Sequence, residues 1–264
     1  MAEKPGVRMQ VRLLGPLQVV EEDIPIQLPG EKLRTIMAAL ALTPGTPVPA
    51  LDLLDELWGD QLPKTADNSL QSHVARLRRV LTEQTGKPKA RHVLRTTRSG
   101  YVLDVDPADV DALRFSTSVE AAGRRLDADG ELAIRMLTEA FSEWRGPALI
   151  DTGTGMICRI AYVRLEETRL IGRELFVEAH LRLGRHWQVI PELEQLLTQY
   201  PLHERFCEQL MTALYRSGRQ ADALSVYRRV QHNLDAELGI EPGPALQRRF
   251  RQILQQEGAL LRGA

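Results

Sequence analysis

The stretch "TADNSLQSHVARLRRVL", residues 65–81, carries two opposed faces. Leu70, Val74, Leu77 and Leu81 recur at spacings of four, three and four, which places them on one side of a helix and predicts a core beneath them. The helix turns about 100° per residue, so Thr65, Asn68, Ser72, Arg76 and Arg79 fall on the other side. That face mixes short hydrogen-bonding groups with long cations and holds almost no acid. Arginine offers paired donors to guanine or phosphate, and Asn, Ser and Thr donate or accept at either. His73 lies beside the apolar stripe and reads as a packing residue. Arg78 lies on the other flank, directed to solvent or a phosphate.

The charge balance around this helix is uneven. The chain has 264 residues and a net charge of −1, yet residues 64–101 carry nine Lys and Arg against Asp67 and Glu83, a local charge of +7. Residues 106–264 carry 20 arginines and 23 acids, a balance of −3. A cationic segment inside a nearly neutral chain points to a polyanionic partner.

Working outward toward the N-terminus, "VRLLGPLQVV" (11–20) and "IPIQL" (24–28) are rich in Val, Ile and Leu and read as antiparallel strands. "EKLRTIMAALALT" sets Leu33, Ile36, Met37 and Leu40 at helical spacing and ends before Pro44-Gly45. "PALDLLDELWG" repeats the pattern with Leu51, Leu54, Leu57 and Trp58, stopped by Gly59. Thr65 is the expected N-cap of the third helix, accepting from the backbone of Asn68. After that helix, "HVLRTTRSGYVLDV" alternates through Val93, Arg95 and Thr97 and returns through Tyr101 and Leu103, a hairpin with Arg98 at its tip. Strands, three helices and a terminal hairpin describe a winged helix-turn-helix, in which the third helix enters the major groove and the hairpin lies along the neighbouring backbone or minor groove.

"DVDPADVDAL" (104–113), with four aspartates and no cation, reads as a joint between domains. Beyond it the chain is helical, apart from an irregular loop, "RGPALIDTGTG", at 145–155. Residues 180–201 overlay 214–235 at a shift of 34: Gly184 on Gly218, Arg185 on Arg219, Val189 on Ala223, Leu193 on Tyr227 and Leu196 on Val230. With Pro201 closing the unit, this is tetratricopeptide spacing, and Ala133, Leu137 and Ala140 hint at an earlier unit. The expected fold class is therefore mainly α: a winged helix-turn-helix with small antiparallel sheets over residues 1–105, then an all-α repeat domain over 106–264. Such an array offers a surface to a protein partner.

Catalysis finds no support in the sequence. "DTGTG" lacks the Lys-Ser/Thr of a phosphate loop, the six histidines show no metal-binding spacing, and Cys158 and Cys207 read as packing residues. No cofactor or metal is expected. No run reaches the roughly 20 apolar residues of a membrane span, and the N-terminus shows no apolar secretory segment, so a cytoplasmic location is expected.

In this order, "VRLLGPLQV", "LPGEKLRTIMAALAL", "LLDELWGDQLPKTADNSLQSHVARLRRVL", "LRTTRSGYVLDV", "DALRF", "EWRGPAL" and "SGRQADALSVYRRVQHNLDAELGIEPGPALQ" resemble the streptomycete antibiotic regulatory protein family of transcriptional activators. The resemblance covers nearly the whole chain. It implies an OmpR-like winged-helix domain followed by a bacterial transcriptional activation domain. It also implies binding to direct repeats in promoters of secondary-metabolite (antibiotic) genes as a dimer on DNA, and recruitment of RNA polymerase. Carried onto this chain, the DNA contacts are Lys64, Thr65, Asn68, Ser72, Arg76 and Arg79 from the recognition helix and its start, and Arg95, Thr96 and Arg98 from the wing. Glu31 stands where the family pattern has a small residue or proline, with Lys32 beside it long enough to reach a phosphate. Regulation by ATP within the same polypeptide is not expected. The competing reading is a protein-interaction adaptor whose winged helix does not bind DNA.

Overall fold

The computed structural model describes residues 9–256, so Glu257 at the end of the expected final helix lies outside the described residues. Three short strands open the fold: β1 (Met9–Arg12), β2 (Gln18–Glu21) and β3 (Ile24–Ile26), antiparallel in the order β1-β2-β3. The run 11–20, expected as one strand, is divided between β1 and β2. Gly15 at φ +141° and Pro16 turn the chain, and the N–H groups of Leu13 and Leu14 donate to the Asp111 carboxylate at 2.6 and 3.1 Å instead of to a ladder. β2 and β3 are joined through Glu22 and Asp23, both at positive φ, as a tight hairpin turn requires.

The helices α1 (Glu31–Ala41), α2 (Ala50–Trp58) and α3 (Ala66–Thr85) follow, and then β4 (Leu94–Thr97) and β5 (Gly100–Leu103). The core positions expected in α1 and α3 are buried: Leu33, Ile36, Met37 and Leu40 in the first, and Leu70, Val74, Leu77 and Leu81 in the second. Each such side chain contributes roughly 1.5–3 kcal/mol of burial. The expected face of α2 is corrected. Leu51 is 72% exposed; Leu54 is buried as expected, and Leu53 and Glu56 are buried with it.

The reason lies in α6 (Met156–Arg182), whose first turn has no acid of its own. The Glu56 carboxylate accepts from the N–H of Ile157 at 2.6 Å and of Cys158 at 3.1 Å, so a side chain of α2 caps this distant helix. Gly155 permits the approach, because a Cβ there would lie 2.4 Å from the Glu56 carbonyl oxygen.

The segment 104–113 is likewise no free joint. Asp106 accepts from Ala108 N–H, Val110 bridges Val11, and Asp111, 2% exposed, holds the turn after β1 with Arg145 beside it. Burial pushes the Asp111 carboxyl above its ordinary range, against the N–H groups of Leu13 and Leu14 and the charge of Arg145. The loop after α5 (Gly130–Ser142) is tied down as well: Asp151 accepts from Leu17 N–H and pairs with Arg34, and Gly153 N–H donates to Thr35 Oγ1.

By contact the chain forms two compact units: residues up to Glu120 with Thr138–Arg169, and Ala121–Leu137 with the residues from Leu170 onward. α4 (Asp111–Arg125), α5 and α6 contribute to both. The second unit is completed by α7 (His186–Gln199), α8 (Glu204–Arg216), α9 (Gln220–Leu238) and α10 (Pro244–Leu254). Its repeat is visible in the backbone. Arg185 N–H donates to His180 O and Arg219 N–H to Leu214 O, both at 2.9 Å, around Gly184 and Gly218 in the left-handed region. Val189, Leu193, Leu196, Ala223, Tyr227 and Val230 are all buried, together with Cys207, whose thiol is pushed up to about 12 chiefly by burial. Cys158 is also buried and free. No helix among the described residues is long and apolar enough to cross a membrane.

Candidate nucleic-acid interface

Every sequence-predicted contact residue is exposed: Lys64, Thr65, Asn68, Ser72, Arg76 and Arg79 on α3 or at its start, and Arg95, Thr96 and Arg98 on the hairpin. A 20-residue helix is about 30 Å long, and α3 holds its buried side on one stripe over that length. Its C-terminal end is pinned twice. Gln84 exchanges hydrogen bonds with the backbone of Gln27, at 2.7 and 2.8 Å, and Lys87 reaches Glu21 and Glu22 at 3.4 and 2.7 Å.

The predicted residues differ in how free they are. Arg76, Arg98 and Lys64 make no ion pair or side-chain hydrogen bond among the described residues. Arg79 approaches Glu83 only at 3.9 Å, with both side chains about two-thirds exposed, a pair worth little in water. Ser72 Oγ donates to Asn68 O at 2.8 Å, so its lone pairs face outward as acceptors. Thr65 occupies the N-cap position, but at φ −107° and ψ 24° its side chain makes no capping bond, contrary to expectation. Arg95 pairs with Asp104 at 3.3 Å.

Arg78, expected to meet solvent or a phosphate, is partly exposed and also bonded within the fold. Its Nε donates to Leu94 O at 2.9 Å and its Nη2 to Thr96 Oγ1 at 2.7 Å, a half-buried bridge from α3 to the hairpin. The only sequence signal for this was its place on the flank of the helix, between the exposed and buried stripes. Lys32 is also turned inward: Nζ donates to Leu57 O at 3.0 Å and lies 4.1 Å from the centre of the Trp58 ring. Burial pulls its ammonium below the ordinary value. His73 packs near Trp58, with ring centres 6.2 Å apart, and burial, with Lys32 and Arg76 nearby, lowers its pKa.

The hairpin is held from behind. Val48 N–H donates to Tyr101 O at 2.8 Å, Tyr101 N–H returns to Val48 O at 2.9 Å, and Gly45 N–H donates to Leu103 O at 2.8 Å. Gly100 is the close contact that allows this: at φ +143°, a Cβ would sit 2.0 Å from Val48 O. The two-residue turn Arg98-Ser99 is thereby projected beyond a fixed base.

A basic third helix and a braced hairpin, followed by an all-helical repeat region, define a winged-helix fold with an appended helical domain. The comparisons agree. The profile described as "Transcriptional regulatory protein, C terminal" matches residues 25–103, and that of the "Bacterial transcriptional activator domain" matches 110–254. The transcriptional regulator RedD of Streptomyces coelicolor is 43% identical over 97% of this chain and 73% of its own length. The regulatory protein DnrI of Streptomyces peucetius is 40% identical over 94% of this chain and 93% of its own. The solved structure of Mycobacterium tuberculosis EmbR, in complex with a low-affinity phosphopeptide, superimposes with a TM-score of 0.87 at 35% identity, covering 94% of this chain and 65% of that one. The chain belongs to the streptomycete antibiotic regulatory protein family of transcriptional regulators.

Proposed function

We propose that this protein binds double-stranded promoter DNA sequence-specifically and activates transcription. The observation that carries the reading is the exposed face of α3, where Arg76 is unpaired among the described residues, together with the equally free Arg98 at the tip of the braced hairpin. With α3 in the major groove, Asn68, Ser72, Arg76 and Arg79 face base edges and phosphates, and Lys64 and Thr65 meet the backbone near the helix start. The wing, through Arg95, Thr96 and Arg98, lies against the adjoining backbone or minor groove. Arg95 exchanges Asp104 for a phosphate in doing so.

Residues 1–105 act as the DNA-reading domain and 106–264 as the activating domain, whose helical surface meets RNA polymerase. Two protomers occupy direct repeats about one helical turn, roughly 10–11 base pairs, apart, so each raises the effective concentration of the other. The genes served are those of secondary-metabolite (antibiotic) biosynthesis, and the protein works in the cytoplasm at the nucleoid. The names of RedD and DnrI as regulators support this reading.

The test is footprinting of the DNA upstream of neighbouring genes, followed by affinity measurements across a salt series. Neutralisation of several phosphates gives a steep negative slope of log affinity against log salt, about −0.9 per phosphate contact. A flat response, or no binding at low salt, overturns the DNA-binding reading in favour of a protein adaptor.

A further inference from the structure

A cleft of about 210 Å³ opens within the first compact unit, between the end of α1, the start of α4 and the N-terminal half of α6. Its walls are aliphatic: Leu42, Leu113, Ile157, Ile160, Ala161 and Leu165. Three polar residues, Thr43, Ser116 and Arg164, complete its lining, and no acidic residue lines it. Ser116 Oγ donates to Ala112 O at 2.9 Å, which leaves its lone pairs to accept.

Arg34, Arg114, Arg145 and Arg169 of this unit are matched to Asp151, Glu143, Asp111 and Glu166, whereas Arg164, like Arg76 and Arg98, has no acid among the described residues. Arg164 is exposed and has no side-chain partner among the described residues. A cation left unmatched beside an apolar hollow is complementary to an amphipathic molecule, one whose apolar body fills the hollow and whose anionic group stops at the rim. An apolar cavity near 150 Å³ holds a single aromatic ring. A space of about 210 Å³ suits a body somewhat larger, such as two fused rings.

We infer that this cleft is a binding site for a small apolar monoanion of the aromatic carboxylate class. The position gives occupancy a route to the wing. Thr43, on the cleft, lies two residues before Gly45, whose N–H is bonded to Leu103 O of β5. The inference stands apart from the DNA-binding reading and survives its failure.

The test is calorimetric titration of the full chain with 2-naphthoate and with 2-naphthalenemethanol, the uncharged molecule of matching shape. Saturable one-to-one binding is expected, with the carboxylate about tenfold the tighter, the gain of one charge-assisted contact. Arg164→Met should erase that difference and spare the alcohol. Ala161→Phe should fill the hollow and block both probes. No saturable heat with either probe overturns the site. So does binding that persists in an Ala161→Phe chain with unchanged circular dichroism. Equal affinity for acid and alcohol overturns the assignment of an anion. Because Arg164 is exposed, Arg164→Met keeps its fold and remains decisive should Ala161→Phe not fold.

Discussion

The arginines that tie the second unit together differ in their partners from the most exposed arginines of α3 and the hairpin. In the second unit Arg173 pairs with Glu192, Arg182 with Glu178 and Asp127, Arg185 with Glu131, Arg219 with Asp222, and Arg229 with Glu194. Arg205 and Arg249 share Glu208, whose carboxyl burial alone would raise but whose two guanidinium neighbours hold it below the ordinary range. On α3 and the hairpin, Arg76 and Arg98 have no such acid among the described residues, and Arg79 has only a distant one. An arginine that must serve the fold is matched within the fold. An arginine left unmatched in a segment of charge +7 awaits an anion from outside.

The most direct way to break this contrast is to make the first region resemble the second. Ser72→Glu places an acid four residues ahead of Arg76, the favourable order for a helical pair, and turns a negative charge toward the phosphates. We expect a loss of about 3 kcal/mol or more in operator affinity, measured by gel shift, with an unchanged melting temperature. Affinity within twofold of wild type would show that this face does not meet DNA.

Arg76→Ala should cost about 1–3 kcal/mol and relax selection at one base position, read out by binding to a library of variant sites. The matched control is Arg219→Ala, which removes one half-exposed pair. It should leave DNA affinity alone and change stability by less than about 1 kcal/mol.

Arg78→Met tests bracing apart from contact. The aliphatic stem remains, but the bonds to Leu94 O and Thr96 Oγ1 are lost. Affinity should fall by about 1 kcal/mol, with faster amide exchange confined to the hairpin. Arg78→Lys should restore little, because one ammonium does not reproduce the fork.

The smallest effect is a pH dependence to which two histidines of the second unit contribute, beside His73 of the first. Burial lowers the pKa values of His180 and His186, with Arg185 and Arg216 adding to the shift, and each has a buried Nδ1 without a hydrogen-bond partner among the described residues. The unfolded chain therefore takes up protons below about pH 6.5 that the folded chain refuses. Stability from these groups is complete above that pH and declines as pH falls toward their depressed folded values. Urea midpoints at pH 7.5 and 5.5 should show the decline, and His180→Gln combined with His186→Gln should reduce it.

Much of this was legible because it is local. The stripe Leu70, Val74, Leu77 and Leu81 depends only on helical periodicity, so it reads directly as a buried face, and the Gly184/Gly218 spacing announces two like turns for the same reason. The positions that misled are those whose partners lie far away in sequence. Glu56 looks like the polar side of an amphipathic helix until the N-terminus of α6, about a hundred residues on, supplies its N–H groups. Asp111 looks like part of an acidic joint until Leu13 and Leu14 supply theirs.

Periodicity and charge in the amino-acid sequence determined the helices, the repeat and which face of α3 is cationic, since each follows from neighbours within a few turns. Only the tertiary structure decided that Arg78 braces the wing, that Lys32 turns inward, and that Arg164 stands unmatched at a hollow. A long side chain reaches several ångströms in many directions, and which acceptor it meets is settled by packing between distant segments, information that no local pattern contains.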